Sequence, residues 1–167
     1  IIRAAAQVAD EGVATPILLG RREQIEATIN ELGLHFQPEI VDVYEQDFRE
    51  HYVNDLVALR QRNGVSLAKA KALLRDRNYV APMMIHAGVA DASISGLTYE
   101  YPDVIRPALQ IFHTREGVKR AAGVYLVIVK GRVYLFTDAT VNINPDEETL
   151  AEIAILAADF AKTLDID

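Results

Sequence analysis

The chain has 167 residues, half of them hydrophobic and a quarter charged, with a net charge of -7 and no cysteine. That composition supports one well-filled core, or a core and part of another, and excludes a disordered chain. The acidity argues against nucleic-acid and membrane-surface partners, the absence of thiols excludes disulfides, thiolate metal sites and a cysteine nucleophile, and no apolar run approaches the roughly 20 residues of a membrane span.

A cytoplasmic protein is therefore expected. In chain order, IIRAAAQVADEG has helical spacing and ends on Gly12, and ATPILLG follows as a short, continuously apolar strand. REQIEATINELG is an amphipathic helix with Ile25, Ile29 and Leu32 on one face, and EIVDV (39–43) is a second strand. The spacing predicts a long helix to about residue 63, a helix opening at Ser66, a short helix over VAPMMIHAGV (80–89) and a strand at 92–95. Short apolar strands alternating with helices call for an α/β fold, a mostly parallel three-layer unit with helices on both faces of the sheet.

After about residue 115 the pattern changes. Segments 121–129 and 132–138 read as strands joined by Lys130-Gly131, a hairpin whose turn type a lone glycine leaves open. Asn144-Pro145-Asp146-Glu147 offers an N-cap, a proline at the first helical position and a glutamate three residues on. The helix it opens is apolar nearly all round and is expected to be buried. The expected organisation is a first α/β subdomain over 1–115 and the start of a second, incomplete one over 116–167. The chain opens without Met inside a helical pattern and stops at Leu164-Asp165-Ile166-Asp167, where a helix would hand over to a strand, so a piece of a longer protein is expected.

Neither a dinucleotide-binding glycine fingerprint nor a P-loop nor a nucleophile elbow is present. His35, His51, His86 and His113 have no metal-ligand spacing, and no metal site is expected. What remains is SGLTYEYPDVIRPALQI (95–111). Its turn at Gly96 and its helix starting near Pro102 bring free backbone N–H groups to a helix N-terminus, where anions are favoured. Arg106 lies one turn into that helix and adds a guanidinium, while Ser95 and Thr98 supply hydroxyls. Glu100 and Asp103 give the other account of the same residues: they satisfy the helix dipole, and Arg106 pairs with one of them. Arg60 and Arg62, before Gly64, form a second basic cluster, which by itself suits a solvated helix C-terminus.

Five segments, in order, resemble the phosphate acetyltransferase family: the stretch from Glu11 to Gly20, LRQRNGVSLAKA, NYVAPMMIHAGVADASISG, RPALQIF, and DATVNINPDEETLAEIAILAA. A narrower resemblance joins SGLTYEYPD to the acyltransferase-like domain at the C-terminus of bacterial NADP-dependent malic enzymes. Free-standing acetyltransferases carry roughly SGxxHSTxDTxRPAL there. Aligning Asp103 and Arg106-Pro107 puts Tyr99 in place of the His and Glu100 in place of a hydroxyl residue. A carboxylate about 4 Å from a bound phosphate, at an effective dielectric near 20, is repelled by on the order of 4 kcal/mol.

The resemblance implies a CoA-ester or phosphate cleft formed by Arg60, Ser95, Gly96, Thr98, Glu100 and Arg106, with Arg60 the partner of a CoA phosphate. It places the family's Ser-Arg pair and Asp in a second half, so no catalytic residue is assigned within this chain. The function it implies is an acetyl-CoA-binding regulatory and homo-oligomerisation domain. The parent would be a malic enzyme that decarboxylates malate oxidatively to pyruvate, with NADP and Mg or Mn in its malic domain. The alternatives are an active phosphate acyltransferase and a purely structural module.

Overall fold

The computed structural model describes residues 1–166, the side chains of residues 46–49 excepted. It divides into two compact units, Ile1–His113 and a second beginning at Thr114.

In the first unit, helix α1 (Ile2–Asp10) leads to strand β1 (Ile17–Leu19), helix α2 (Arg22–Glu31) and strand β2 (Glu39–Val41). β1 and β2 pair in parallel, with Leu18 opposite Ile40, and the ladder continues where Gly20 N donates to Val41 O at 3.0 Å. Arg22 fixes the start of α2 against this sheet: its Nη2 donates to Ile40 O at 2.7 Å and its backbone N to Asp42 Oδ2 at 3.2 Å. Helix α3 (Gln46–Arg60) runs into a single 3₁₀ turn (Gln61–Asn63), and α4 (Leu67–Leu73) follows, its N-cap Ser66 accepting from Lys69 N as expected of a serine before a helical run. Helices α5 (Arg77–His86) and α6 (Tyr101–Phe112) complete the unit, each with a buried proline inside it, Pro82 and Pro107.

The core converges on α3. Its Tyr52, Val53 and Leu56 pack with Val41 and Val43 from the sheet side, Leu74 after α4, Val80, Met83 and Met84 of α5, and Ile111 of α6. The α/β class expected from the sequence holds, but the sheet is smaller than expected. Among the described residues it has two strands, and the third, expected at 92–95, is absent. That segment is exposed along its length and its backbone enters no ladder, so nothing makes it a strand. The short helix expected from residue 80 starts three residues earlier, because Asp76 caps it by accepting from Asn78 N at 2.9 Å.

In the second unit, β3 (Val124–Val129) and β4 (Arg132–Thr137) form the expected antiparallel hairpin, with Leu126 opposite Leu135. Lys130 and Gly131 have φ of 50° and 76°, so both central residues lie in the left-handed region and the turn is of type I′. Asp138 then gathers the following loop, accepting from Asn142 Nδ2 at 2.8 Å and from Asn142 N at 3.1 Å.

Helix α7 (Glu147–Thr163) starts two residues later than the sequence reading placed it. Asn144 has φ of 53°, left-handed backbone that an N-cap does not adopt, and Asp146 takes the cap, accepting from Thr149 N at 2.9 Å. Within this unit α7 is not buried as expected: Leu150, Ile155 and Phe160 are exposed, as are most apolar side chains of the hairpin. Two strands offer too little surface to cover a helix that is apolar on several sides. Asp167, where the expected hand-over to a strand falls, lies outside the described residues. No helix of the described residues is long and apolar enough to cross a membrane.

Two predictions follow from this packing. Leu56 is fully buried, so Leu56→Ala should cost about 2–5 kcal/mol in denaturant unfolding, the range for emptying a leucine site in a core. Hydrogen bonding from Thr149 holds the Asp146 carboxyl below its ordinary range. The contribution of this cap is therefore present above the unfolded-state carboxylate pKa and is lost as pH falls through the lower folded-state value. Asp146→Ala should lower the thermal midpoint at neutral pH, and its difference from the unsubstituted chain should shrink in acid; a difference independent of pH would contradict the cap.

Candidate functional site

The loop 95–99 is shaped by its backbone before any side chain acts. Gly96 has φ of 139°, a region closed to residues with a Cβ. Thr98 N donates to Gly96 O at 2.6 Å across Leu97, whose φ is 56°. This is a γ-turn of the positive-φ kind, rare and strained for a leucine. Such backbone persists only where surrounding contacts hold it, and here α5 supplies them.

Two consecutive residues in the first turn of α5 anchor the two ends of the loop. Ser95 Oγ donates to Asn78 Oδ1 at 2.6 Å, and the Arg77 guanidinium lies 5.8 Å from the centroid of the Tyr99 ring. Asn78 is only 4% exposed. Tyr79, next in the chain, donates from its hydroxyl to Gln110 Oε1 of α6 at 2.8 Å, which joins α5 to α6. Burial pushes the Tyr79 phenol above its ordinary value and Asp76 adds to the rise, while the Arg106 and Arg60 guanidinium groups pull it down. The phenol thus stays protonated near neutral pH and remains a donor. Its surroundings also show that α3, α5 and α6 bring Arg60 and Arg106 within electrostatic reach of one hydroxyl.

The sequence-predicted residues fall as follows. Arg60 ends α3, half-buried, and its Nε is buried without a hydrogen-bond partner. Arg106 lies on α6 and is exposed, and neither arginine enters an ion pair among the described residues. The pairing of Arg106 with Glu100 or Asp103 that the sequence allowed is not formed. Ser95, Gly96 and Thr98 build the loop itself. Glu100 is the N-cap residue of α6 by backbone conformation, but its exposed side chain makes no capping bond. Arg62 lies in the exposed 3₁₀ turn.

Asn78, Arg77 and Tyr79 were missed by the sequence reading, which started α5 at residue 80. The signal that could have found them is Asp76, an N-cap residue directly before RNYV. Among the described residues no group of three or more His, Cys, Asp or Glu side chains could hold a metal ion. The cavity of about 300 Å³ bounded by Arg120, Asn142, Asn144 and Asp146 belongs to the second unit and shares no residue with this cluster.

The arrangement is an α/β framework that holds a strained loop and two arginines without ion-pair partners near the first turn of α5, which Tyr79 ties to the last turn of α6. Residues 1–167 match the phosphate acetyl/butaryl transferase family along their whole length, and the chain belongs to that family. It is 38% identical to a phosphate acetyltransferase of Bacillus subtilis (strain 168), covering 100% of this chain and 52% of that protein. A phosphate acetyltransferase of Helicobacter pylori is 35% identical, over 99% of this chain and 32% of that protein. Among solved structures, a phosphotransacetylase from Streptococcus pyogenes superposes with a TM-score of 0.91 at 36% identity, covering 100% of this chain and 51% of that one. The EutD phosphotransacetylase from Staphylococcus aureus gives 0.87 at 31% identity, with 99% and 50% covered. The chain therefore spans about half the length of several of the relatives it matches, and less of others.

The Ser95 hydroxyl is the partner that satisfies the buried Asn78 Oδ1, so its removal should cost more than an exposed serine normally does. Ser95→Ala is expected to lower stability by about 1–3 kcal/mol in urea unfolding. In an Asn78→Ala background the same change should cost nearly nothing. An equal cost in both backgrounds would show that the two side chains are not coupled.

Proposed function

We propose that these residues form part of a phosphate acyltransferase, which moves an acyl group between the thiol of CoA and inorganic phosphate. The observation that carries this reading is the pair of arginines, Arg60 and Arg106, without ion-pair partners among the described residues and both within electrostatic reach of Tyr79. The names of the relatives, all phosphate acetyltransferases, favour the same reaction.

In the direction of acyl phosphate synthesis, a phosphate oxygen attacks the thioester carbonyl. The new C–O bond forms, the C–S bond breaks, and the sulfur leaves as a thiolate that takes up a proton. Both substrates are anionic, so the contribution of this chain is charge compensation and positioning. Arg60 presents a fork suited to phosphate oxygens, and Arg106 sits one turn inside α6, whose N-terminus favours negative charge. The strained loop 95–99 is held on the first turn of α5 and leads into the N-terminus of α6.

Glu100 opposes phosphate binding, and its weight depends on its surroundings. Held about 4 Å away in a protein-like medium it costs on the order of 4 kcal/mol, but in bulk water about 1 kcal/mol. Its side chain is exposed and bonded to nothing at the helix end, so the lower figure applies. Glu100→Gln should accordingly lower the KM for phosphate by about fivefold and leave the turnover number near its original value.

The same glutamate is the one feature favouring a second reading, a domain of a hybrid malic enzyme that binds acetyl-CoA as an effector and assembles homo-oligomers without transferring the acyl group. NADP and a divalent Mg or Mn ion would then serve a separate malic domain. Calorimetric titration of acetyl-CoA into the complete polypeptide, with an acetyl phosphate assay on the same sample, separates the two. Turnover supports the transferase, and binding without turnover the effector domain. In either case Arg60→Ala should weaken acetyl-CoA by about 1.5–3 kcal/mol, the range for a hydrogen bond to a charged group. Unchanged binding would remove Arg60 from the site.

A further inference from the structure

We infer that Asn78 is a ligand-binding residue of this site, its side-chain amide N–H donating to an acceptor oxygen of the bound acyl donor or phosphate while its carbonyl oxygen holds the loop 95–99. The inference rests on the acyltransferase reading and gives it a residue to which the sequence assigned no role.

Among the described residues, two buried side-chain polar atoms lack a hydrogen-bond partner, Arg60 Nε and Asn78 Nδ2. Both are donors, and no buried side-chain acceptor is orphaned. They belong to α3 and α5, which pack against each other, and Arg60 acts electrostatically on Tyr79, the residue after Asn78. A buried amide is ordinarily satisfied on both sides, because leaving an N–H unpaired away from water is unfavourable. Its backbone N donates to Asp76 Oδ1 at 2.9 Å and its side-chain Oδ1 accepts from Ser95 Oγ at 2.6 Å. The free side-chain valence is a donor, as is the orphaned Arg60 Nε, and the Arg106 guanidinium also acts on the neighbouring Tyr79. An oxygen-rich, electron-rich ligand matches that set, and a cation or an apolar group does not.

The position of Asn78 also gives it a linking role. An oxygen bound to Nδ2 fixes the amide, and the fixed amide holds Ser95, so ligand binding and the strained turn at Leu97 are joined through one side chain. Arg77, adjacent in the chain, holds the far end of the same loop through Tyr99.

The test uses Asn78→Asp in the complete polypeptide. This isostere keeps an acceptor for Ser95 and replaces the N–H by a second carboxylate oxygen. Calorimetric titration with acetyl-CoA, CoA and inorganic phosphate as separate probes should show at least tenfold weaker binding of one or more of them. Loss for acetyl-CoA but not for CoA assigns the bond to the acyl carbonyl oxygen, and loss for phosphate assigns it to a phosphate oxygen. Affinities within twofold of the unsubstituted protein for all three, in a variant with an unchanged circular dichroism spectrum, would overturn the inference.

If Asn78→Asp fails to fold, the Asn78 side-chain amide resonance of the ¹⁵N-labelled unsubstituted protein gives the answer. It should shift on saturation with the bound probe, and an unmoved resonance overturns the inference. An unsubstituted protein that binds none of the three probes refutes the acyltransferase reading itself, an outcome distinct from either of these.

Discussion

Tyr52, Val53 and Leu56 lie along one stripe of α3, and removing that stripe from water draws β2, α4, α5 and α6 onto a single helix. Each fully buried side chain of this kind is worth about 1.5–3 kcal/mol, so the stripe outweighs any single polar contact in the unit. The proposed site takes its geometry from that packing. Arg60 is the last residue of the same helix, and Tyr79 and Arg106 belong to the two helices that pack on it. The arginines can stand without carboxylate partners because their positions are set by apolar contacts elsewhere on their helices.

The proposed site would have to attract anions on an acidic protein. The chain carries 24 acidic residues against 17 basic ones, so its overall field repels an anion. Attraction has to be local. Five ion pairs among the described residues consume lysines and arginines at exposed positions, and Arg60 and Arg106 are outside all of them. The orphaned Asn78 Nδ2 extends the same principle to a neutral group, since an unpaired amide in a dry place offers a specific acceptor more than a solvated one does.

Much of this was legible in the sequence where local rules govern. Lys130-Gly131 marked the hairpin, Ser66 marked the start of α4, and the ordered motifs marked the family. Rules that depend on a neighbour failed. Residues 92–95 have strand composition but no ladder partner, and Asn144-Pro145 imitates a helix start that a left-handed backbone at Asn144 forbids. Ser95, Gly96, Thr98, Arg60 and Arg106 were named from motif and charge. Asn78 was not, because its importance comes from what it lacks, and an absent partner leaves no mark in a sequence. The narrower likeness to the malic-enzyme domain rested on SGLTYEYPD alone, a span too short to outweigh the relatives matched by the whole chain.

Pro82 and Pro107 add one further consequence. Neither has an N–H to offer the carbonyl four residues earlier, so the helical bonds that would close on Asn78 O and Asp103 O cannot form. Each helix is thereby a stem, anchored in the core by Met83, Met84 or Ile111, with a first turn fastened by one backbone bond fewer than its neighbours. Amide protons in those first turns should exchange with solvent through small local openings, while the stems exchange only when the whole unit unfolds. Asn78 sits on one of these loosely stitched turns and Asp103 on the other, so the first turns of both helices can loosen and close without disturbing the core beneath them.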